Sequence, residues 1–250
     1  MMMHRPTPLL FYVYMAALIS CAPINAAPNI TQEHAANGTD SGKTLTQQPR
    51  IYSNMEEVYF DAEAKKNPAP WLSIRAAISP TNEKFEFIDA FGNIIAPPEN
   101  VDILGVNDDE ITLQIGGEEN GEAGRTTTLI RANPVSCWSA VKKATPVSED
   151  AQASISSNDD WIFAANLKLH DQGGRTKLGG GDSGAPETIL RVRRVMWPVG
   201  SSNKPSLVLY VFTSDNPQSA VSYSWADIDA KRIGINLRWM QASCTVEPAE

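Results

Sequence analysis

The sequence predicts a mainly β fold: an antiparallel β-sandwich or barrel-like sheet, with one short N-terminal helix. Three observations carry this expectation. Short alternating or β-branched runs recur from Trp71 onward. Clusters of Gly, Pro, Asn, Asp and Ser separate them, as antiparallel connections require. A helical signature stands once, ahead of the strands. No repeat period is visible, and the runs lack the uniform lipid-facing alternation of an outer-membrane barrel.

Along the chain, Leu9 to Ile19 is an apolar run of signal-peptide length, too short to cross a bilayer as a helix. It predicts export, with residues 1–20 as the signal peptide, extending to 26 under the second cleavage reading. In the first, Leu18–Cys21 resembles a bacterial lipobox and Cys21 carries a lipid. In the second, cleavage follows Ala26. Residues 21–50 are polar and without periodicity, and read as a disordered tether. Residues 51–250 then read as a single β-rich domain. Ser53 to Asn67 has a capping serine, early acids and late lysines, the pattern of a helix, and the proline-rich stretch from Pro68 to Pro70 stops it.

Strand patterns follow in WLSIRAAI, KFEFIDAFG, EITLQIGG and RTTTLIRA. After a polar insert at about 145–159 comes DDWIFAANLKL. Four clear patterns close the chain: TILRVRRVMW, SLVLYVFTS, AVSYSW and RIGINLRWM.

The formal net charge is −8, which argues against nucleic acid or an anionic membrane surface as partner, while leaving room for a local basic patch. The membrane then enters only through a lipid on Cys21. Setting Cys21 aside, the two remaining cysteines, Cys137 and Cys244, are expected to pair in an oxidising compartment. With one histidine in the predicted domain and its two cysteines expected to pair, no zinc set is available, and no metal or cofactor is expected. The acid-rich stretches Val106–Glu110 and Gly117–Glu122 match no EF-hand spacing and read as solvated turns.

Gly181–Gly184 spells Gly-Asp-Ser-Gly, which resembles the nucleophile motif of chymotrypsin-like serine proteases. That chemistry needs a histidine base and an orienting aspartate brought in by the fold. His4 falls in the signal peptide and His34 in the tether. His170 lies only 13 residues before Ser183, across one glycine-rich segment. His170, Asp171 and Ser183 could form only an improvised dyad or triad. The preferred reading is a flexible loop from about Leu169 to Thr188, with Ser183 not a nucleophile.

The binding reading comes from strand alternation. Period 2 places Ile189, Arg191, Arg193, Val195 and Trp197 on one face. Arg232, Gly234, Asn236 and Arg238 share another, opposite Ile233, Ile235, Leu237 and Trp239. Ser222 and Ser224 alternate with Val221, Tyr223 and Trp225. If the serine and Asn236 faces align, Ser222, Ser224, Arg232, Asn236 and Arg238 form one polar face, and register could add Arg191 and Arg193. Such arginine forks suit a carboxylate or sulfate. The competing reading is a solvated face whose arginine stems cover apolar neighbours. Most of the six tryptophans are expected in the core, Trp138 against the disulfide, with one or two free to stack on sugars.

The function expected is therefore an exported, periplasmic or envelope-anchored, non-catalytic β-sheet domain. Its ligand is anionic, with an acidic glycan or an envelope protein as partner. The alternatives are an extracytoplasmic hydrolase of polysaccharide or peptide, and a structural or accessory envelope protein.

Overall fold

The computed structural model describes residues 49–79, 82–116, 124–144 and 160–247. The expected signal peptide, Cys21 and the expected tether at 21–50 lie outside these residues, save the last two of the tether. So do the acidic stretch 117–122 and the polar insert at about 145–159. The fold is mainly antiparallel β with a curled half-barrel sheet and one α-helix near the start of the described chain.

Among the described residues, fourteen strands form three sheets. The first has six strands in the order β3-β2-β1-β6-β5-β4. These are β1 (Arg50–Ser53), β2 (Ser73–Ser79), β3 (Asn82–Phe87), β4 (Val101–Val106), β5 (Glu110–Ile115) and β6 (Arg125–Arg131). Its buried apolar residues come from alternate positions, as a one-sided sheet requires. Tyr52, Ile74, Ala76, Ile111, Leu113 and Leu129 form a cluster, joined at its rim by Phe85, Phe87, Val101 and Val106.

The other two sheets pack face to face. One has the order β12-β11-β10-β9, from β9 (Gln172–Leu178), β10 (Thr188–Val195), β11 (Ser206–Thr213) and β12 (Ser222–Asp227). The other has the order β13-β14-β7-β8, from β7 (Pro134–Lys142), β8 (Trp161–His170), β13 (Arg232–Asn236) and β14 (Met240–Val246). Leu190, Val192, Leu207, Leu209 and Val211 from the first meet Val135, Val141, Ile233, Met240 and Ala242 from the second. This is sandwich packing. Cys137 and Cys244 lie directly opposite on β7 and β14 within the same core, with sulfurs 2.08 Å apart. The expected pairing is the one seen.

The helix α1 (Met55–Glu63) is shorter than the pattern Ser53–Asn67 suggested. It ends because Lys65 turns to a left-handed φ of 55°. Its N-cap is Asn54, not Ser53, and Asn54 does not cap with its side chain. That amide instead accepts from Leu72 N at 2.8 Å and donates to the Pro70 carbonyl and to Thr127 Oγ1. Ser53 Oγ accepts from Trp71 Nε1 at 3.0 Å. The two chain segments at the helix entrance are thus tied together by a buried polar network, each member satisfied.

Two sequence expectations fail here. The glycine-rich stretch is not one loop, since residues 172–178 form β9. Gly173 explains how a strand fits: its φ is +82°, and a Cβ there would come within 2.9 Å of Met55 Cε. Gly174 passes so close to His170 that a Cβ would lie 2.5 Å from its backbone N. The run RIGINLRWM is likewise not one strand. β13 ends at Asn236, Leu237 N bonds the Met240 carbonyl, and β14 returns beside it with Asn236 opposite Gln241. Leu237 and Trp239 therefore belong to a hairpin turn, and Arg238 is an exposed turn residue.

Candidate functional site

The outer face of the β9–β12 sheet carries two cross-strand rows. Arg175, Arg191, Tyr210 and Tyr223 are directly paired, one from each strand. In the next row Gln172, Arg193, Val208 and Trp225 are paired in the same way. Adjacent strands are ~4.8 Å apart, so each row crosses ~14 Å of sheet.

The part of this face that holds Arg191 and Arg193 is covered. Helix α1 and Trp71 lie over it. Arg193 is only 2% exposed and forms an ion pair with Glu56 through its Nε, with a second bond from Nη2 at 3.1 Å. Its guanidinium carbon sits 3.5 Å from the Tyr59 ring centroid. Burial opposes its charge, but the bond to Glu56 and that carboxylate's charge outweigh this and hold its pKa above the ordinary value. Arg191 has no carboxylate partner of its own among the described residues. It lies 5.7 Å from the Trp71 centroid and 5.9 Å from the Tyr210 centroid, and its Nη2 meets Met55 Sδ at 2.9 Å. Burial, helped by the charges of Arg175 and Arg193, depresses its pKa to about 10, so it stays charged at neutral pH.

The other half is open. Trp225 is 48% exposed and Tyr223 58%. Trp197, just after β10, stacks on Trp225 with centroids 6.2 Å apart and planes within 13°. Tyr223 meets the Trp225 ring edge-on at 6.1 Å, and Tyr210 meets Tyr223 at 6.2 Å. On the helix side Phe60 continues the line to Trp197 at 5.8 Å, and Tyr59 touches Phe60. Tyr59, Phe60, Trp197, Trp225, Tyr223 and Tyr210 thus make a continuous aromatic belt, drawn from the helix, the β10–β11 connection and two strands.

The seven residues expected to line one polar face do not come together. Arg191 and Arg193 are on the outer face of β10, held under the helix. Ser222 and Ser224 point the opposite way from Tyr223 and Trp225, half-buried toward the sandwich core. Arg232 and Asn236 are exposed on β13 of the other sheet, and Arg238 is in the turn beyond it. Alternation fixes which residues share a face, not which face meets the core. On the edge strand β12 the core side is already filled by Leu209, Val211 and Ile233, and the small residues take it. Trp138 also differs from expectation. It is 44% exposed, on the face of β7 opposite Cys137. Tyr59, Phe60 and Trp197 were not singled out as site residues. The adjacent aromatics of the helix were the available signal.

His170 and Ser183 are not joined. Among the described residues neither ring nitrogen of His170 has a hydrogen-bond partner, and the residue is 3% exposed. Ser183, in a single 3-10 turn at Gly181–Ser183, accepts from Ala185 N at 3.2 Å. Asp171 accepts from Asn133 N at 2.8 Å and Asn133 Nδ2 at 2.7 Å, with Arg194 Nε 3.8 Å away. Burial depresses the His170 pKa from 6.5 to about 4. The unfolded chain therefore binds the extra proton first. His170 contributes stability that is complete above pH 6.5 and is lost as pH falls toward about 4. Burial raises the Asp171 pKa, so its own contribution has the opposite sign, weakening as pH rises. Comparing Tm against pH for the wild type and His170→Phe isolates the histidine. The variant should show a flatter profile between pH 4 and 6.5, and superimposable profiles would contradict this.

Comparison with protein-family models, with curated proteins and with solved structures found no match.

Proposed function

We propose that this chain is an exported, non-catalytic β-sheet domain that binds a glycan along the aromatic belt. The observation that carries the reading is the exposed Tyr223–Trp225 pair extended by the parallel Trp197 ring. Sugar rings present apolar C–H faces that stack on such rings, while their hydroxyls stay hydrated. The contact is sequence-tolerant along a chain of repeating sugars. Charge plays a smaller part here than the sequence suggested. Arg193 is committed to Glu56, so recognition at the belt is by ring stacking.

Export is supported by the bonded Cys137–Cys244 pair, which persists outside a reducing compartment. A lipid on Cys21 would hold the domain at a membrane while leaving the belt free. The hydrolase alternative draws nothing from the His170–Ser183 pair, which the fold keeps apart.

The test is calorimetric titration with β-1,4-linked hexasaccharides of glucose and of N-acetylglucosamine and with the α-1,4-linked hexasaccharide of galacturonic acid. At least one should bind saturably. Trp225→Ala should weaken that binding about 5–30-fold, the equivalent of about 1–2 kcal/mol for a lost stacking surface. Absence of binding by all three, or equal affinity in the variant, would overturn the reading.

A further inference from the structure

A second concave site lies at the outer edge of β9, apart from the belt. Its cavity of about 350 Å³ is lined by Phe91, Asn93, Lys168, Arg175, Thr176 and Lys177. One wall is the 89–93 loop. Asp89 holds that loop in shape by accepting from Phe91 N at 2.8 Å, Asn93 N at 2.9 Å and Asn93 Nδ2 at 2.9 Å. The loop is docked on the strand by a 2.7 Å bond from Arg175 N to the Ala90 carbonyl. The wall is therefore built into the fold.

Three cations face this cavity, and the described carboxylates answer two of them. Lys177 pairs with Glu187 at 3.2 Å and Lys168 with Glu247 at 3.1 Å. Arg175 has no carboxylate partner among the described residues. Its guanidinium carbon lies 5.4 Å from the Phe212 centroid, and its Nε is buried with no hydrogen-bond acceptor. The neighbouring Arg191 adds a like charge. A buried, unanswered guanidinium donor is costly unless something accepts from it. Burial pushes its pKa down, in keeping with that cost.

We infer that this cleft binds a small oxyanion, a carboxylate, phosphate or sulfate group, with Arg175 as the recognising residue and Lys177 at the rim. The planar fork of Arg175 suits a two-oxygen contact. Phe91 supplies an apolar wall for whatever carries the anion. The inference does not rest on the glycan reading, since no residue of the cleft belongs to the belt.

The test is an amide-resolved NMR titration of the full chain with sodium phosphate, sodium sulfate and sodium acetate, ionic strength held constant with sodium chloride. Saturable shifts are expected at Asn93, Thr176 and Lys177 with at least one of the three salts. Response to phosphate and sulfate alone identifies a tetrahedral anion, and response to acetate identifies a carboxylate. Arg175→Gln should weaken binding at least about tenfold, because a charge-assisted bond is lost. Trp225→Ala should leave it unchanged. If Arg175→Gln does not fold by circular dichroism, Lys177→Gln, at an exposed position, should weaken binding about threefold. Linear shifts matching those from chloride would overturn the inference. So would saturable binding that is unchanged in the folded variants.

Discussion

Replacing Arg193 with alanine is expected to lower the unfolding free energy by about 3–5 kcal/mol, the usual cost of breaking a buried ion pair from one side. Arg193 reaches from β10 across to Glu56 in the first turn of α1, and both side chains are mostly removed from water. Truncation leaves the Glu56 carboxylate beneath the helix, with the weak 3.4 Å contact from Met196 N among its remaining bonds. It also removes the cation stacked against Tyr59 and near Phe60. The helix should loosen on the sheet, so Tyr59 and Phe60 should become more mobile. Urea unfolding followed by tryptophan fluorescence gives the number. A loss under about 1 kcal/mol would mean that the pair does not anchor the helix.

The second large effect is at the disulfide. Changing Cys137 and Cys244 together to alanine should lower stability by about 4–5 kcal/mol on the chain-entropy account of a bridge. The bridge spans 107 residues, which is a long loop to leave open in the unfolded chain. At this size the loss corresponds to about 10–20 °C in Tm. Both positions are buried in the sandwich core, so the lost sulfurs add a packing cost in the same direction. Differential scanning calorimetry of the double variant tests this. An unchanged Tm, or recovery of both cysteines as free thiols from the protein purified under non-reducing conditions, would contradict it.

The fold class was legible because it depends on period. WLSIRAAI alternates, SLVLYVFTS is a short apolar run rich in β-branched and aromatic residues, and both are strands where expected. The strands that escaped were those with weak alternation. β9 opens with Gln172, Gly173 and Gly174, and is a strand only because its neighbours leave room for glycine and nothing larger. β14, MQASCTV, follows Met240 with only small residues on its buried face, Ala242 and Cys244, and it is placed by pairing with β7 and by the disulfide. Long-range pairing of this kind leaves little local trace.

The site was less legible for the same reason. Alternation placed Arg191 with Arg193, and Tyr223 with Trp225, on shared faces, and both groupings hold. It could not say that α1 covers the first pair while the second stays open. That depends on Glu56 meeting Arg193, residues 137 positions apart. Nor could it say that β13 and β10 fall in different sheets, which separates Arg232 and Asn236 from the arginines of β10.

The central claim, that the open half of this face is the glycan surface, is tested most directly at the indole N–H groups. Each of the six tryptophans gives one such NMR signal. Titration with a hexasaccharide that binds should shift the signals of Trp225 and Trp197 saturably and leave those of Trp71, Trp138, Trp161 and Trp239 in place. Saturable shifts at Trp138 or Trp161 with Trp225 and Trp197 unmoved would put the ligand on the opposite sheet and contradict the account.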